Sequence, residues 1–131
     1  MWKLKKKIGM FLIILFILFL LYELYCYISV KHCIDRAYEL KEGIEKIDNI
    51  NDPLWGAQYV VGSHDSTSVD VFIAPKLLLL GKNTGKGYMF VFYKYYDENG
   101  ELVVTSGPEE EIFYFIKNSE KWELEKVYRR P

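Results

Sequence analysis

IGMFLIILFILFLLY, residues 8–22, is a continuous apolar run near the start of the 131-residue chain. At ~1.5 Å rise per residue, these 15 residues span about 22 Å as a helix, which is short of the ~30 Å hydrocarbon core of a bilayer. Extending the helix past Glu23 to Val30 completes the span and puts the carboxylate in the outer third, near the interface. The run therefore predicts a transmembrane helix over residues 8–30.

The flanks of this helix predict its orientation. Four lysines precede the run within residues 1–7, and a membrane retains such a cluster on its cytoplasmic side. Tyrosines gather at the other end, as amphipathic rings do at a membrane–water interface. The anchor residues at the two ends are Lys3, Lys5, Lys6, Lys7, Tyr22, Glu23, Tyr25 and Tyr27. We expect residues 1–7 to form a cytoplasmic tail of a cell-membrane protein and residues 31–131 to form an extracytoplasmic domain.

A cleaved secretory signal is the alternative for the same run, because it also combines a basic start with a hydrophobic stretch. The candidate cleavage region, YELYCYISV at residues 22–30, has bulky side chains where a signal peptidase needs small ones. Neither Cys26 nor Cys33 follows the small residues of a lipoprotein cleavage box. An uncleaved anchor is favoured, with membrane lipid as the partner of residues 8–30.

Charge and cysteine content limit the class of protein. With 17 Lys plus Arg, 18 Asp plus Glu and two Cys, the chain is neither a disulfide-rich mini-protein nor basic enough to bind nucleic acid. After residue 30 the balance is 13 basic against 17 acidic residues, a net charge of −4. Cys26 and Cys33 lie about 10.5 Å apart along a helix, beyond the ~7 Å Cα limit of a disulfide. Free thiols are favoured, and a disulfide between two copies is the alternative.

The remaining chain predicts an α+β domain in which a juxtamembrane helix precedes a curved antiparallel sheet of about five to seven strands. Residues 31–47 place apolar side chains at helical spacings, and Pro53 is expected to end the helix. Packing on the sheet is favoured over a short dimerising coiled coil, because fewer than three heptads are present. Alternating residues between turn signals indicate strands at 58–61, 68–74, 77–80, 88–96, 101–107, 112–117 and 122–129.

Prolines, a turn motif and a break in the alternation give further predictions about this sheet. Pro75 and Pro108 are expected to end strands, and DENG at residues 97–100 is a turn signal. In the last strand Val127 falls on the face of the glutamates, which predicts a bulge near Glu125 or Lys126.

The candidate catalytic motifs do not have the residue spacing that their chemistry requires. GKNTGKG, residues 81–87, lacks the spacing of a phosphate loop and the helix that follows one, so a hairpin loop is expected. His64, Asp65 and Ser66 are adjacent on a turn, where side chains point apart, unlike a catalytic triad. We therefore predict that the chain is not an enzyme. An enzyme would instead bury Asp70 or His64 beside a titratable partner.

Metal ligands are equally sparse in the sequence. His32 lies beside the membrane, His64 is alone, and no cysteine pair has ligand spacing. Glu109, Glu110 and Glu111 are interpreted as a solvated charge run, since consecutive carboxylates point in different directions and lack a calcium-binding loop. We expect no metal and no cofactor.

Aromatic residues are the feature that stands out in residues 31–131. Most of these rings are expected to fill the core. The candidate interaction or cleft residues are the tyrosines at the end of the strand 88–96, where it emerges from the core. They are Tyr93, Tyr95 and Tyr96.

The closing pattern K-W-x-L-x-x-V is carried by Lys121, Trp122, Leu124 and Val127. With one helix and a curved antiparallel sheet, residues 31–131 resemble the nuclear-transport-factor-like (cystatin-like) superfamily. The resemblance implies a small domain outside a single membrane helix, as in many Gram-positive envelope proteins and in conjugation and secretion assembly factors. The superfamily usually has two or three helices before the sheet, whereas this chain shows one. Its catalytic Asp, His or Tyr sets have no counterpart here.

These observations favour a non-catalytic, single-pass, membrane-anchored interaction or assembly module of the bacterial envelope. The expected partner is an envelope protein or another copy of the chain. The Lys-rich leader and the frequent Ile, Lys and Asn indicate a bacterial source. The alternatives are a small-ligand-binding domain, which needs a roomy apolar pocket beneath the sheet, and a membrane immunity or inhibitor protein.

Overall fold

The computed structural model describes residues 1–130 and has an α+β architecture. One long helix precedes two short 3-10 turns and a single antiparallel sheet. The sheet has the strand order β1-β2-β3-β4 and curves so that both edge strands contact the helix. The elements are α1 Trp2–Lys41, the 3-10 turns Trp55–Ala57 and Ser63–Asp65, β1 Ser68–Leu80, β2 Thr84–Tyr96, β3 Leu102–Asn118 and β4 Lys121–Arg129. The predicted fold class is confirmed.

Helix α1 is continuous from the basic leader into the domain. Its 40 residues span about 60 Å. Large apolar side chains from Ile8 to Leu21 are each 46–61% exposed, so none of them is buried against the rest of residues 1–130. It is long and apolar enough to cross a membrane. The second half is covered by the sheet and buries one helical stripe: Cys26, Val30, Cys33, Ile34, Ala37, Leu40 and Lys41.

The helix ends earlier than Pro53. Gly43 adopts a left-handed conformation with φ of 80°. The Gly43 N–H donates to the carbonyl of Leu40, and the Ile44 N–H donates to that of Glu39, which together form a Schellman cap. The predicted apolar stripe is therefore correct only as far as Leu40, and Ile44, beyond the cap, is 73% exposed.

The sheet has four strands rather than the five to seven predicted, because two strands pass through prolines. β1 continues across Pro75 with a register irregularity, and β3 continues across Pro108, opposite an irregularity at Phe92. Bulges and edge strands tolerate proline because no ladder N–H is required there. Residues 58–61 form no strand; the Gln58 side chain instead bonds the backbone N–H and carbonyl of Ile47.

Three local predictions are confirmed. Residue Glu125 is the extra residue of a β4 bulge, which returns Val127 to the inner face opposite Phe113. The 97–100 turn is closed by Asp97, whose carboxylate accepts backbone N–H bonds from Asn99 and Glu101. The β1–β2 hairpin lies within the 81–87 segment, but its loop is only residues 81–83, because β2 begins at Thr84 rather than at Tyr88.

The core lies between the inner face of the sheet and α1. Phe113 and Phe115 are fully buried at its centre. Both cysteines are buried, and they form no disulfide with each other. Gly87 is required by close packing, since a Cβ there would meet side-chain carbons of Met89, Leu78 and Phe115 at 2.7–3.0 Å.

Candidate functional site

The inner face of the sheet carries a buried polar cluster, which we call the inner polar cluster: Lys41, Tyr93, Glu111 and Arg129. The Lys41 ammonium lies 2.6 Å from Glu111 Oε1 and donates to Tyr93 Oη at 3.0 Å. The Tyr93 hydroxyl donates to Glu111 Oε2 at 2.5 Å. The side chains of Lys41 and Glu111 are both completely buried. Arg129, half-exposed, approaches Glu111 at 3.8 Å.

Burial dominates the electrostatics of this cluster. It lowers the pKa of Lys41, while the Glu111 carboxylate opposes that change. Burial also raises the pKa of Tyr93, and Glu111 adds to the increase because a second negative charge beside it is unfavourable. The raised pKa keeps the Tyr93 phenol protonated, so its hydroxyl can donate to Glu111.

A cavity of about 150 Å³ adjoins the inner polar cluster. Lys41, Tyr93, Tyr95 and Arg129 form its inner wall, and Tyr59 closes it from the loop side. The Tyr59 hydroxyl is held by Ser66. Burial raises the pKa of Tyr95 as well. The cavity is too small for the roomy apolar pocket that a drug-sized ligand needs.

The opposite face of the sheet is unusually aromatic. Side chains there alternate with the buried inner residues and include large apolar residues on each of the four strands. Phe72 pairs with Phe92, their rings 6.0 Å apart, and Ile112 pairs with both Tyr88 and Tyr128. We call these residues the outer aromatic band: Phe72, Tyr88, Phe90, Phe92, Ile112 and Tyr128.

Polar groups flank a groove of about 210 Å³ along the outer aromatic band. The Glu110 carboxylate pairs with Arg130 at 2.7 Å at one side. On the other side, the Lys76 ammonium lies 4.9 Å from the centre of the Phe90 ring. Phe72 is 60% exposed and Tyr128 is 51% exposed. An apolar surface rimmed by charges is typical of a protein-binding surface.

The structure separates the three candidate tyrosines. Tyr93 and Tyr95 are buried, 3% and 8% exposed, and stack with ring centres 6.0 Å apart beside the inner cavity. Tyr96 is half-buried on the other face of β2. Tyr93 and Tyr95 thus line a cavity, and no hydroxyl of the pair reaches the outer aromatic band.

The residues weighed for catalysis are dispersed. His64 and Asp65 are exposed in a 3-10 turn with left-handed backbone, and Asp70 is exposed on β1. Ser66 is buried, but its hydroxyl bonds the carbonyl of Ser63. His32 contacts the carbonyl of Trp122 at the start of β4. Within residues 1–130, no group of three or more His, Cys, Asp or Glu is placed to hold a metal ion.

The interpretation of Glu109–Glu111 as a solvated run is wrong for Glu111. Glu111 is 1% exposed because it shares the inner face with Phe113 and Phe115. The alternation of Glu111 with Phe113 and Phe115 along the sequence indicates that Glu111 lies on the inner face. Lys41 was missed for a similar reason, since it continues the apolar helical stripe seven positions after Ile34.

The predicted anchor residues occupy both ends of the exposed half of α1. Lys3, Lys5, Lys6 and Lys7 lie in its first two turns. At the other end, Tyr22 Oη accepts the Leu80 N–H at 3.1 Å, and Glu23 Oε2 accepts the Leu78 N–H at 3.0 Å. Tyr25 points outward and is 65% exposed, whereas Tyr27 is 37% exposed. The domain therefore contacts the helix immediately after the apolar run.

No protein-family model matches the chain, and no curated protein is significantly similar to it.

Proposed function

We propose that this chain is a non-catalytic, single-pass membrane protein whose domain binds a protein partner at the outer surface of a bacterial cell membrane. In this proposal the leader, residues 1–7, lies in the cytoplasm, and residues 31–131 lie outside together with residues 23–30, which β1 and the sheet contact. The proposal includes the expected relationship to the nuclear-transport-factor-like superfamily. The observation that carries the binding role is the outer aromatic band, exposed on a domain joined rigidly to an apolar helix.

Rigid attachment supports a role in positioning a partner. No loop separates the apolar half of α1 from the half buried in the domain, because the helix is unbroken from Trp2 to Lys41. Backbone N–H groups of β1 also donate hydrogen bonds to Tyr22 and Glu23, which gives a second connection between the sheet and α1 at the end of the apolar run. Such a domain keeps a fixed height and orientation relative to its membrane segment, which a flexible linker would not provide.

The composition of the outer aromatic band supports a protein as the partner. Aromatic residues are enriched at the centres of protein interfaces, and charged residues are found at the rims. In the band Phe72 contacts Phe92, and the Glu110–Arg130 ion pair lies beside Phe90. Single exposed apolar residues are ordinary, but large apolar side chains on the same face of four neighbouring strands are not.

Photocrosslinking in intact cells tests this role. A photoreactive amino acid at Tyr128 should capture one protein partner, and Phe72→Asp in the same chain should abolish the capture, since it puts a charge at the other end of the band. The matched control is Ile44→Asp, which changes a 73% exposed residue outside the sheet and should leave capture intact.

Two results would contradict the proposal. One is capture from Tyr128 that is insensitive to Phe72→Asp. The other is equal capture of the same protein by a photoreactive residue at Ile44. Recovery of a crosslinked second copy of this chain would identify the partner as the chain itself.

Small-ligand binding by the inner cavity is the second candidate. Lys41 uses two of its three N–H donors, on Tyr93 and Glu111, beside a space of about 150 Å³. A ligand of a few heavy atoms would fit there. Screening small carboxylates and phosphate for an increase in thermal stability of the full chain tests this candidate, and Lys41→Met should remove any increase.

A further inference from the structure

Strand β1 runs along α1 towards the apolar run of the helix. Two helix tyrosines bond its backbone in the same way. Tyr38 Oη accepts the Ile73 N–H at 2.8 Å, and Tyr22 Oη accepts the Leu80 N–H at 3.1 Å. The tyrosines are about 24 Å apart along the helix, and the two strand residues are about 23 Å apart along β1. The strand is therefore nearly antiparallel to the helix axis, and Leu80 is at its end nearest the apolar run.

The turn between β1 and β2 consequently lies beside the apolar run. Residues 81–83 continue past Leu80, and the Gly81 N–H donates to the Thr84 carbonyl at 2.8 Å. An extended residue advances by ~3.3 Å, so the turn reaches beyond the level at which Leu80 bonds Tyr22, the last residue of the run. The run spans only about 22 Å of a ~30 Å hydrocarbon core. In a membrane that α1 crosses, this level therefore lies no higher than the headgroups.

The β1–β2 hairpin is basic and exposed at this level. Residues 71–96 contain four lysines and neither Asp nor Glu. Lys82 lies in the turn and Lys86 lies near the start of β2, and both are exposed. Neither forms an ion pair with another of residues 1–130. Leu79, at the end of β1, is 44% exposed. The hairpin thus presents free ammonium groups and an apolar side chain beside the end of the apolar run.

The two ends of the sheet differ in charge. Lys86 and Lys126 flank the Tyr114 ring, with their ammonium groups 5.5 Å and 4.7 Å from its centre. Glu125 lines the same surface depression, so positive charge exceeds negative charge there. The β3–β4 hairpin at this end is balanced, with two lysines and two glutamates in residues 117–123. The β2–β3 turn at the other end is acidic and contains Asp97, Glu98 and Glu101.

We propose that the β1–β2 hairpin contacts the membrane surface and binds the headgroups of anionic phospholipids. Lys82 and Lys86 pair with headgroup phosphates, and Leu79 packs against the upper part of an acyl chain. A lysine at an anionic membrane surface strengthens the contact by about fivefold. The contact fixes the rotation of α1 about its own axis, which a single membrane helix alone leaves free. This proposal rests on the proposed membrane anchor.

Fluorescence quenching by labelled lipids tests the proposal on the full chain in nanodiscs of phosphatidylglycerol and phosphatidylcholine. A fluorophore on Asn83→Cys reports on the turn, since the native Cys26 and Cys33 are buried. Either lipid carries the same acyl-chain nitroxide as quencher, and only phosphatidylglycerol lacks a cation that neutralises its phosphate. We expect the Asn83 probe to be quenched, with a local enrichment of phosphatidylglycerol of about fivefold or more. A probe on Asn99→Cys, exposed in the β2–β3 turn, should not be quenched.

Lysine variants isolate the contribution of charge. Lys82→Gln combined with Lys86→Gln removes both ammonium groups and should abolish the enrichment. Both side chains are exposed, so the thermal stability of this double variant should match that of the wild type. The matched control is Lys94→Gln, which alters an exposed lysine at the other end of β2 and should keep the enrichment.

Quenching of the Asn83 probe no greater than that of the Asn99 probe would overturn the proposal, because the hairpin would then stand clear of the membrane. Equal quenching by the two lipids would also overturn it, as would an enrichment that persists in the double variant. Extraction of the wild type at alkaline pH separates these failures from that of the anchor. A chain that stays in the membrane with an unquenched Asn83 probe refutes the hairpin contact alone, and a chain that is extracted refutes the anchor.

Discussion

Breaking the Lys41–Glu111 pair should strongly destabilise the domain. Both side chains are completely buried at a separation of 2.6 Å, and removing one partner of such a pair costs about 3–5 kcal/mol because the other charge is left uncompensated. After Lys41→Met, Glu111 keeps the Tyr93 hydroxyl and the nearby Arg129, so the cost should be near ~3 kcal/mol. After Glu111→Leu, Lys41 keeps only Tyr93, so the cost should approach ~5 kcal/mol.

The double variant, Lys41→Met with Glu111→Leu, separates pairing from packing. It removes both charges and leaves the Tyr93 hydroxyl without its partners, which costs about 1–3 kcal/mol. The double variant should therefore be more stable than either single variant, although the two single costs sum to about 8 kcal/mol.

Thermal unfolding of the full chain in mild detergent, followed by near-ultraviolet circular dichroism, measures these differences. A loss of 3 kcal/mol lowers Tm by about 12 °C or more in a domain of this size. The reasoning is refuted if both single variants remain within about 1 kcal/mol of the wild type, or if the double variant shows the sum of the single losses.

Three further outcomes are expected. Burial and Glu111 raise the pKa of Tyr93, so the folded state keeps the phenol protonated at a pH where the unfolded chain ionises. The free energy of unfolding should therefore decrease as pH rises above about 10. Urea titrations at each pH should show a smaller decrease for Tyr93→Phe than for the wild type. Burial raises the pKa of Cys33 to about 11, and Cys26 is buried as well. At pH 8 both thiols should therefore react with a thiol reagent only after the chain unfolds. Immediate modification of the folded chain would show that the thiols are not buried. Gly87→Ala should cost about 1–3 kcal/mol by overpacking and lower the urea midpoint, whereas Gly56→Ala, where a Cβ meets nothing within 4 Å, should be nearly neutral.

The sequence predicted those features that depend on local periodicity. The apolar run, the helical stripe through Ile34 and Leu40, and the alternation of β2 each reflect which side of one element is buried. The β4 bulge was predictable for the same reason, since Val127 could reach the inner face only if one extra residue shifted the alternation.

Features that depend on contacts between distant segments could not be predicted in this way. Proline usually ends a strand, but Pro75 lies on an edge strand at a bulge, a position that sequence alone does not reveal. The bond between Glu23 and Leu78 joins residues 55 positions apart and exists only because β1 descends beside α1.

The surroundings of the β2 tyrosines also depend on distant contacts. Tyr93 and Tyr95 lie on the inner face of the curved sheet, where they are buried beside a cavity, whereas Tyr96 lies on the other face. The exposed aromatic residue on β1 is Phe72, which shares the polar face of Ser68 and Asp70 by simple alternation. An apolar residue on an otherwise polar face was therefore the sequence signal of the outer aromatic band.

In the proposed topology, the first half of α1 crosses the membrane and holds the domain outside the cell. Labelling intact cells with a membrane-impermeant maleimide tests this topology, because the native thiols of Cys26 and Cys33 are buried and give little background. Glu98→Cys, in the exposed turn after β2, should be labelled in intact cells, whereas Lys3→Cys should be labelled only after permeabilisation. Labelling of Lys3→Cys in intact cells, or protection of Glu98→Cys, would show that the proposed topology is wrong.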